Sequence, residues 1–274
     1  MSPDRSQSAY AASAADLALR ALDALRGVGG TAMIAEHVER SDDPKAALGA
    51  IRFVGADGFA PYLFGDAVFH PQDAMAVAQS FAVFPPPVST PAPPPAGGAE
   101  PWLVAWRDWA TAALLARFAD GGDAQVGEVL APKPEGAPVL AESEPSRATS
   151  DTVAPGAPDT VVPDAPDTDW QRWSVRMGQL SPLAIPGLDG PVHAAARTDP
   201  APRALAKGAT RAVLRRDFPT AARIVRWLAL LRSEGVHLPL DPVPLVEHLG
   251  LYGGGPRLAL DVAIARRLLG LETV

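Results

Sequence analysis

Apolar residues recur at helical spacing along both ends of the chain. Over 11–26, Leu17, Ala21, Leu22 and Leu25 share one face and Asp16, Arg20 and Asp23 lie opposite, which predicts a helix. Gly27-Val28-Gly29-Gly30 ends it, and Thr31 is placed to cap a second helix over 32–40, with Ile34 and Val38 one turn apart. Ser41-Asp42-Asp43-Pro44 supplies an N-cap and a proline at the first helical position, so a third helix is expected over 44–54, burying Ala47, Leu48 and Ile51. Gly55-Ala56-Asp57-Gly58 stops it. Within 62–69, two short aromatic and β-branched runs flank Gly65-Asp66 and predict a hairpin. A closing helix is expected over 73–84.

The C-terminal pattern is more strongly helical. One helix is expected over 204–216. Asp217 and Pro219 open another over 218–233, where Ala221, Ile224, Val225, Leu228 and Leu231 form a continuous stripe. Prolines punctuate 238–244, a short helix follows over 245–251, and Pro256 opens a last helix reaching residue 269. Between the two ends, Trp102, Trp106 and Trp109 recur at i, i+4, i+7 on a helix over 102–120.

Composition then divides the chain. Seven prolines fall within 85–95, which forbids a helix and favours extended polyproline backbone. From 123 to 169 there are ten acidic residues against Lys133 and Arg147, and eight prolines. A segment so poor in large apolar residues cannot offset the entropy of ordering, so it is read as a disordered tether. The expected organisation is mainly α. It comprises a small helical domain at 10–84, a proline-rich linker at 85–99, a Trp-rich helix at 100–121, an acidic linker at 122–169 and a helical domain at 170–274. The order helix, turn-capped helix, helix, hairpin within 10–84 resembles a winged helix, a fold that serves both DNA binding and protein contacts.

The chain's formal net charge is −7, which is not the balance of a protein built to neutralise phosphates. There is no cysteine, so disulfides, thiol nucleophiles and cysteine metal sites are excluded. No stretch of uninterrupted apolar residues is long enough for a membrane span, and 9–25 carries Asp16, Arg20 and Asp23 instead of the apolar run of a signal peptide. A cytoplasmic protein is expected.

No catalytic constellation is legible. There is no G-x-S-x-G elbow and no phosphate loop, and Gly27-Val28-Gly29-Gly30 follows a helix instead of a strand and lacks the third glycine of a dinucleotide loop. His37, His70, His193, His237 and His248 show no metal-ligand spacing and read as surface or capping residues. Neither cofactor nor metal is expected. Two surfaces are candidates for contact. Trp102, Trp106 and Trp109 suit either the core of a flanking domain or a hot spot for a partner protein. Lys207, Arg211, Arg215, Arg216, Arg223 and Arg226 form a basic stretch with Asp217 as its one acid, suited to an anion or an acidic partner. The expected function is that of a non-enzymatic adaptor in a larger multi-protein assembly. The alternatives are a DNA-binding regulator, reading through Lys45 and Arg52 or through the basic stretch, and an enzyme without a recognised motif.

Overall fold

The computed structural model describes residues 3–30, 32–94, 96–119, 131–140, 169–252 and 254–271, and no strand occurs among them. The first helices are α1 (Pro3–Leu25), α2 (Met33–Glu39), α3 (Pro44–Val54), α4 (Ala60–Phe64) and α5 (Pro71–Val83), with a 3-10 turn at Gly55–Phe59 between α3 and α4. Capping chemistry fixes several starts. Asp43 accepts the Ala46 amide at 3.0 Å with Pro44 in the first turn of α3, and His70 caps α5 by accepting the Gln72 amide.

The hairpin expected at 62–69 does not form, so the wing of the winged-helix order is missing from the described residues. Pro61 opens α4 instead, and Gly65 closes it by donating to the Pro61 carbonyl at 3.1 Å. Phe59 and Tyr62 sit three apart, which is a helical neighbour spacing. Their rings gather with Phe69 around Phe118, and Phe59 stacks on Phe69 and Phe118 at 5.3 and 5.8 Å. Burial of one aromatic cluster outweighs the local strand preference of the same residues.

Phe118 belongs to α6 (Ala99–Ala119), the tryptophan helix. Trp102, Trp106 and Trp109 form an edge-to-face ladder with centroids 6.2 and 5.4 Å apart. Trp102 and Trp106 are buried, because α6 packs on α5, on the Gly55–Phe59 turn and on a second 3-10 turn at Ser181–Leu183. Trp109 is half-buried beneath Lys133, whose Nζ lies 4.7 Å from the ring centroid.

Residues 131–140, inside the stretch expected to be an acidic tether, are seated on the helices. The Trp102 indole donates to the Glu135 carbonyl at 2.9 Å and the Trp173 indole to the Pro138 carbonyl at 2.8 Å, with Pro134 and Pro138 buried. The buried prolines suit such a seat, since they have little conformational entropy to lose on docking. The rest of that tether, 122–130 and 141–168, lies outside the described residues.

The C-terminal helices are α7 (Asp169–Gln179), α8 (Pro191–Arg197), α9 (Pro200–Leu214), α10 (Phe218–Ser233), α11 (Pro242–Gly250) and α12 (Gly255–Leu268). α10 is central, touching α7, α8, α9, α11 and α12, and Ile224 through Leu231 are all buried. A helix buried on every side is the axis of its bundle. α7 comes close to α9 because position 208 is glycine: a Cβ there would stand 2.5 Å from Ser174 Cβ. The N-terminal and C-terminal helices share one core, with α1 and α4 both packed on α12 and the two 3-10 turns in contact.

Candidate functional site

The junction of the two ends is electrostatic at its centre. Arg226 of α10 is fully buried and spans two carboxylates, Nη2 donating to Asp57 Oδ1 and Nη1 to Asp261 Oδ1, each at 2.7 Å. Arg257, in the first turn of α12, completes the quartet by pairing with Asp57 Oδ2 and lying 3.4 Å from Asp261 Oδ2. Burial by itself would raise the Asp57 carboxyl, but Arg226 and Arg257 more than offset it and hold Asp57 below the usual carboxylate range. The same acids hold the Arg226 guanidinium above its ordinary value despite its burial. Asp57 sits on the turn after α3, while Arg226, Arg257 and Asp261 come from α10 and α12, so the network ties the ends of the chain together.

Beside this network, α1, α3, α6 and residues 84–87 enclose a groove of about 590 Å³. Tyr10, Phe53, Phe84, Pro87 and Val104 form its apolar walls. Gly49 makes room for the Tyr10 ring, whose Cε1 lies 2.5 Å from where a Cβ would stand. Arg52 is fixed at the edge: Asp108 receives it at 3.1 and 2.6 Å, it donates to the Phe84 carbonyl, and it lies 4.0 Å over the Phe81 ring. Arg107, the other cation of the lining, has no ion pair or side-chain hydrogen bond among the described residues. Burial, then repulsion from Arg257 and Arg223, pushes its guanidinium below the ordinary value. An apolar cleft with a few convergent polar groups is the common form of a binding site.

A second cleft, of about 570 Å³, lies between the 26–30 loop, Tyr62, His70 and Arg267. Of its two arginines, Arg26 is exposed and Arg267 is committed to structure, its Nη2 donating to the Leu25 carbonyl at 2.9 Å at the end of α1.

The expected contact residues are dispersed. Trp102 and Trp106 face the core and Trp109 is half-covered, so this stripe is engaged by the protein's own helices. In the basic stretch, Lys207 stands 5.5 Å from the Trp170 ring centroid and Arg211 donates to Gln171. Arg215 and Arg216 are exposed at the turn between α9 and α10, where Arg216 adopts φ +59°. Arg223 is part-exposed, 3.9 Å from Asp261, and Arg226 is interior. Helical position thus breaks up a stretch that is continuous in sequence. Lys45 is exposed on α3, but Arg52 is occupied by Asp108.

His37 and His193 are buried, not at the surface as expected. His37 of α2 bridges two residues of α1, with Nδ1 3.0 Å from Asp16 Oδ2 and Nε2 3.1 Å from Ser13 Oγ. A neutral ring with its proton on Nδ1 accepts from Ser13 and donates to Asp16, the connectivity of a serine–histidine–carboxylate relay. Acyl transfer also needs backbone donors for an oxyanion. Ser13 lies mid-helix, where amides are engaged in the helical ladder, so the trio acts as a clamp of α2 on α1. Sequence spacing hides it because the histidine comes from a different helix. Among the described residues, no three metal-ligating side chains come together, and no helix is long and apolar enough to cross a membrane. Compared with models of known protein families, with curated proteins and with solved structures, the chain matches none.

Proposed function

We propose that the protein is a non-enzymatic binding partner within a larger assembly, and that the groove between α1, α3 and α6 receives an apolar segment of another protein. The observation that carries this reading is the exposed apolar surface of the groove: Phe53 is 60% and Val104 38% exposed in a chain whose other large aromatics are mostly covered. Leaving such side chains in water forfeits roughly 25 cal/mol for each Å² that a partner would cover. The lining also states what the segment must lack. Arg52 is paired with Asp108, whereas Arg107 makes no ion pair among the described residues and has only the longer-range attraction of Glu100 and Asp108, so a lysine or arginine on the segment is repelled and an acid is favoured.

A photo-crosslinking side chain at Phe53 or Val104, in the full chain and its native cells, is expected to trap one recurrent protein. Tyr10→Asp is expected to abolish the product. The same group at Leu251, 84% exposed and outside the groove, is expected to trap none. Equal trapping from positions 53, 104 and 251, or indifference to Tyr10→Asp, overturns the reading.

A further inference from the structure

Four of the described helices close on the same backbone turn. After α1, α10 and α12 an amide reaches back five residues, Val28 to Asp23, Val236 to Leu231 and Leu271 to Arg266, at 2.8, 2.9 and 2.9 Å. The residue before each donor is Gly27, Gly235 or Gly270, at positive φ. α9 closes in the same way, Asp217 donating to the Ala212 carbonyl at 2.9 Å, but its left-handed residue is Arg216, at φ +59°. A side chain in that conformation costs stability that glycine does not. A cation near a helix C-terminus is favourable, but Arg211 and Arg215 already provide one without the left-handed strain. Position 216 thus keeps an arginine against its backbone preference, which points to a use for that side chain at the surface.

Large apolar side chains surround this arginine. Leu214, 79% exposed, ends α9, and Phe218 opens α10. The Phe218 ring stacks on Tyr252 with centroids 4.1 Å apart and meets the His248 ring edge-on at 6.5 Å, which joins the α9–α10 turn to the end of α11. There Leu251 is 84% and Tyr252 41% exposed. None of these residues lines either cleft, and side chains so exposed project from the turns instead of walling a hollow.

The same end is cationic. Arg215 and Arg216 are exposed and make no ion pair among the described residues, and Lys207 and Arg211 lie one and two turns back along the face of α9 that ends in Arg215. Against them stands Asp217, which caps α10 by accepting the Thr220 amide at 3.2 Å. Glu247 is paired with Arg266, and α9 and α10 contain no acid. At the start of α7, whose Gln171 receives Arg211, Asp169 is matched in charge by Arg172.

We propose that the end formed by Leu214, Arg215, Arg216, Phe218, Leu251 and Tyr252 docks on an anionic phospholipid surface. Projecting apolar groups need no preformed pocket in a fluid bilayer, and the flanking guanidiniums meet the headgroup phosphates. The end shares no residue with the groove between α1, α3 and α6.

The chain has no cysteine, so Leu251→Cys takes a single environment-sensitive fluorophore. With vesicles of phosphatidylcholine and phosphatidylserine its emission is expected to rise and shift to the blue, saturably. The same label at Val68, 80% exposed and outside this end, is expected to stay unchanged. In vesicle flotation of the unlabelled chain, Leu214→Asp and Leu251→Asp are each expected to weaken binding about tenfold or more. Arg215→Gln and Arg216→Gln are each expected to weaken it about fivefold. Arg216→Gly is expected to raise the melting temperature while weakening vesicle binding about fivefold, which separates binding from folding. Tyr10→Asp is expected to leave vesicle binding unchanged. No vesicle-dependent shift at position 251, an equal shift at position 68, or equal binding to phosphatidylcholine alone overturns the proposal. So does a blue shift at position 251 without vesicles: loss of that shift in high salt assigns this end to the chain's own acidic segment 141–168, and growth of it with protein concentration assigns it to a second copy.

Discussion

Arg226 and Asp57 meet at 2.7 Å across 169 positions of chain, both side chains fully buried. The acid lies on the turn after α3 and the arginine on the central helix of the C-terminal bundle. Arg226→Met removes the shared cation and leaves Asp57 and Asp261 facing an apolar side chain, which is expected to cost about 3–5 kcal/mol. Arg257 stays beside both acids and limits the loss. Urea unfolding followed by tryptophan fluorescence and by helical circular dichroism should shift to a lower midpoint together. A loss under about 1 kcal/mol, or two separate transitions in the parent protein, would contradict the structural role assigned to the pair.

The pH dependence follows from the two buried histidines. Burial lowers His37, against the opposing pull of Asp16, and burial followed by Arg197 lowers His193. Each folded value lies below the unfolded value near 6.5, so the unfolded chain binds more protons as the pH falls. The stability these neutral rings contribute is therefore complete above about pH 6.5 and is lost on acidification through the folded values. Each proton taken up preferentially by the unfolded state steepens the decline by about 1.4 kcal/mol per pH unit. Melting temperatures between pH 7.5 and 5 should fall, and His37→Gln with His193→Gln should flatten the curve. An unchanged slope in the double variant would show that other groups govern it.

Much of the helical layout is written locally. The third helix and the α10 helix have the bounds that their caps predict, because Asp43-Pro44 and Asp217 fix the first turns independently of tertiary context. The α4 region is not local: Phe59, Tyr62 and Phe69 turn toward Phe118, a partner that pairwise strand propensity ignores. The ion network is the least legible part, since its four members are scattered from 57 to 261. One signal does exist in the sequence. Of the residues one turn from Arg226, Ala222, Ala229 and Leu230 are apolar and Arg223 alone is polar, so a charge placed there has little water to draw on and needs a partner. The groove leaves a weaker trace, because Phe53 and Val104 look like ordinary core positions until the fold leaves them uncovered.

The seat of residues 131–140 rests on two indole hydrogen bonds. Trp102→Phe and Trp173→Phe keep an aromatic ring, smaller than the indole, and remove the donors to Glu135 and Pro138. Each loses about 1 kcal/mol from the hydrogen bond, with a further cost for the space the smaller ring leaves, and together they should speed proteolytic cleavage within 131–140. Trp227→Phe loses a bond of the same kind to the Met177 carbonyl, at 2.7 Å, yet touches no residue of that segment. It should lower overall stability without selective cleavage at 131–140. Equal cleavage in all three variants would mean that the segment is held by something other than the indoles.

Two helical glycines should respond to alanine in opposite directions. Alanine in a helix interior is favoured over glycine by about 1 kcal/mol, so the sign depends on what the new methyl meets. At Gly208 it would stand 2.5 Å from Ser174 Cβ, an atom fixed to the backbone of α7. No rotamer change relieves that contact, so α7 must move off α9, and a net loss of about 1–3 kcal/mol is expected after the propensity gain. At Gly49 the methyl overlaps the ring edge of Tyr10, a half-buried side chain that can swing aside, and meets Phe84 at an ordinary contact distance of 3.7 Å. Gly49→Ala should therefore be neutral or stabilising by up to about 1 kcal/mol, while driving the Tyr10 ring into the groove and weakening crosslinking from Phe53. Thermal melts of the two variants, paired with the Phe53 crosslinking yield, separate packing from binding: destabilisation by Gly49→Ala, or stabilisation by Gly208→Ala, would show that the helices are not held where this packing requires.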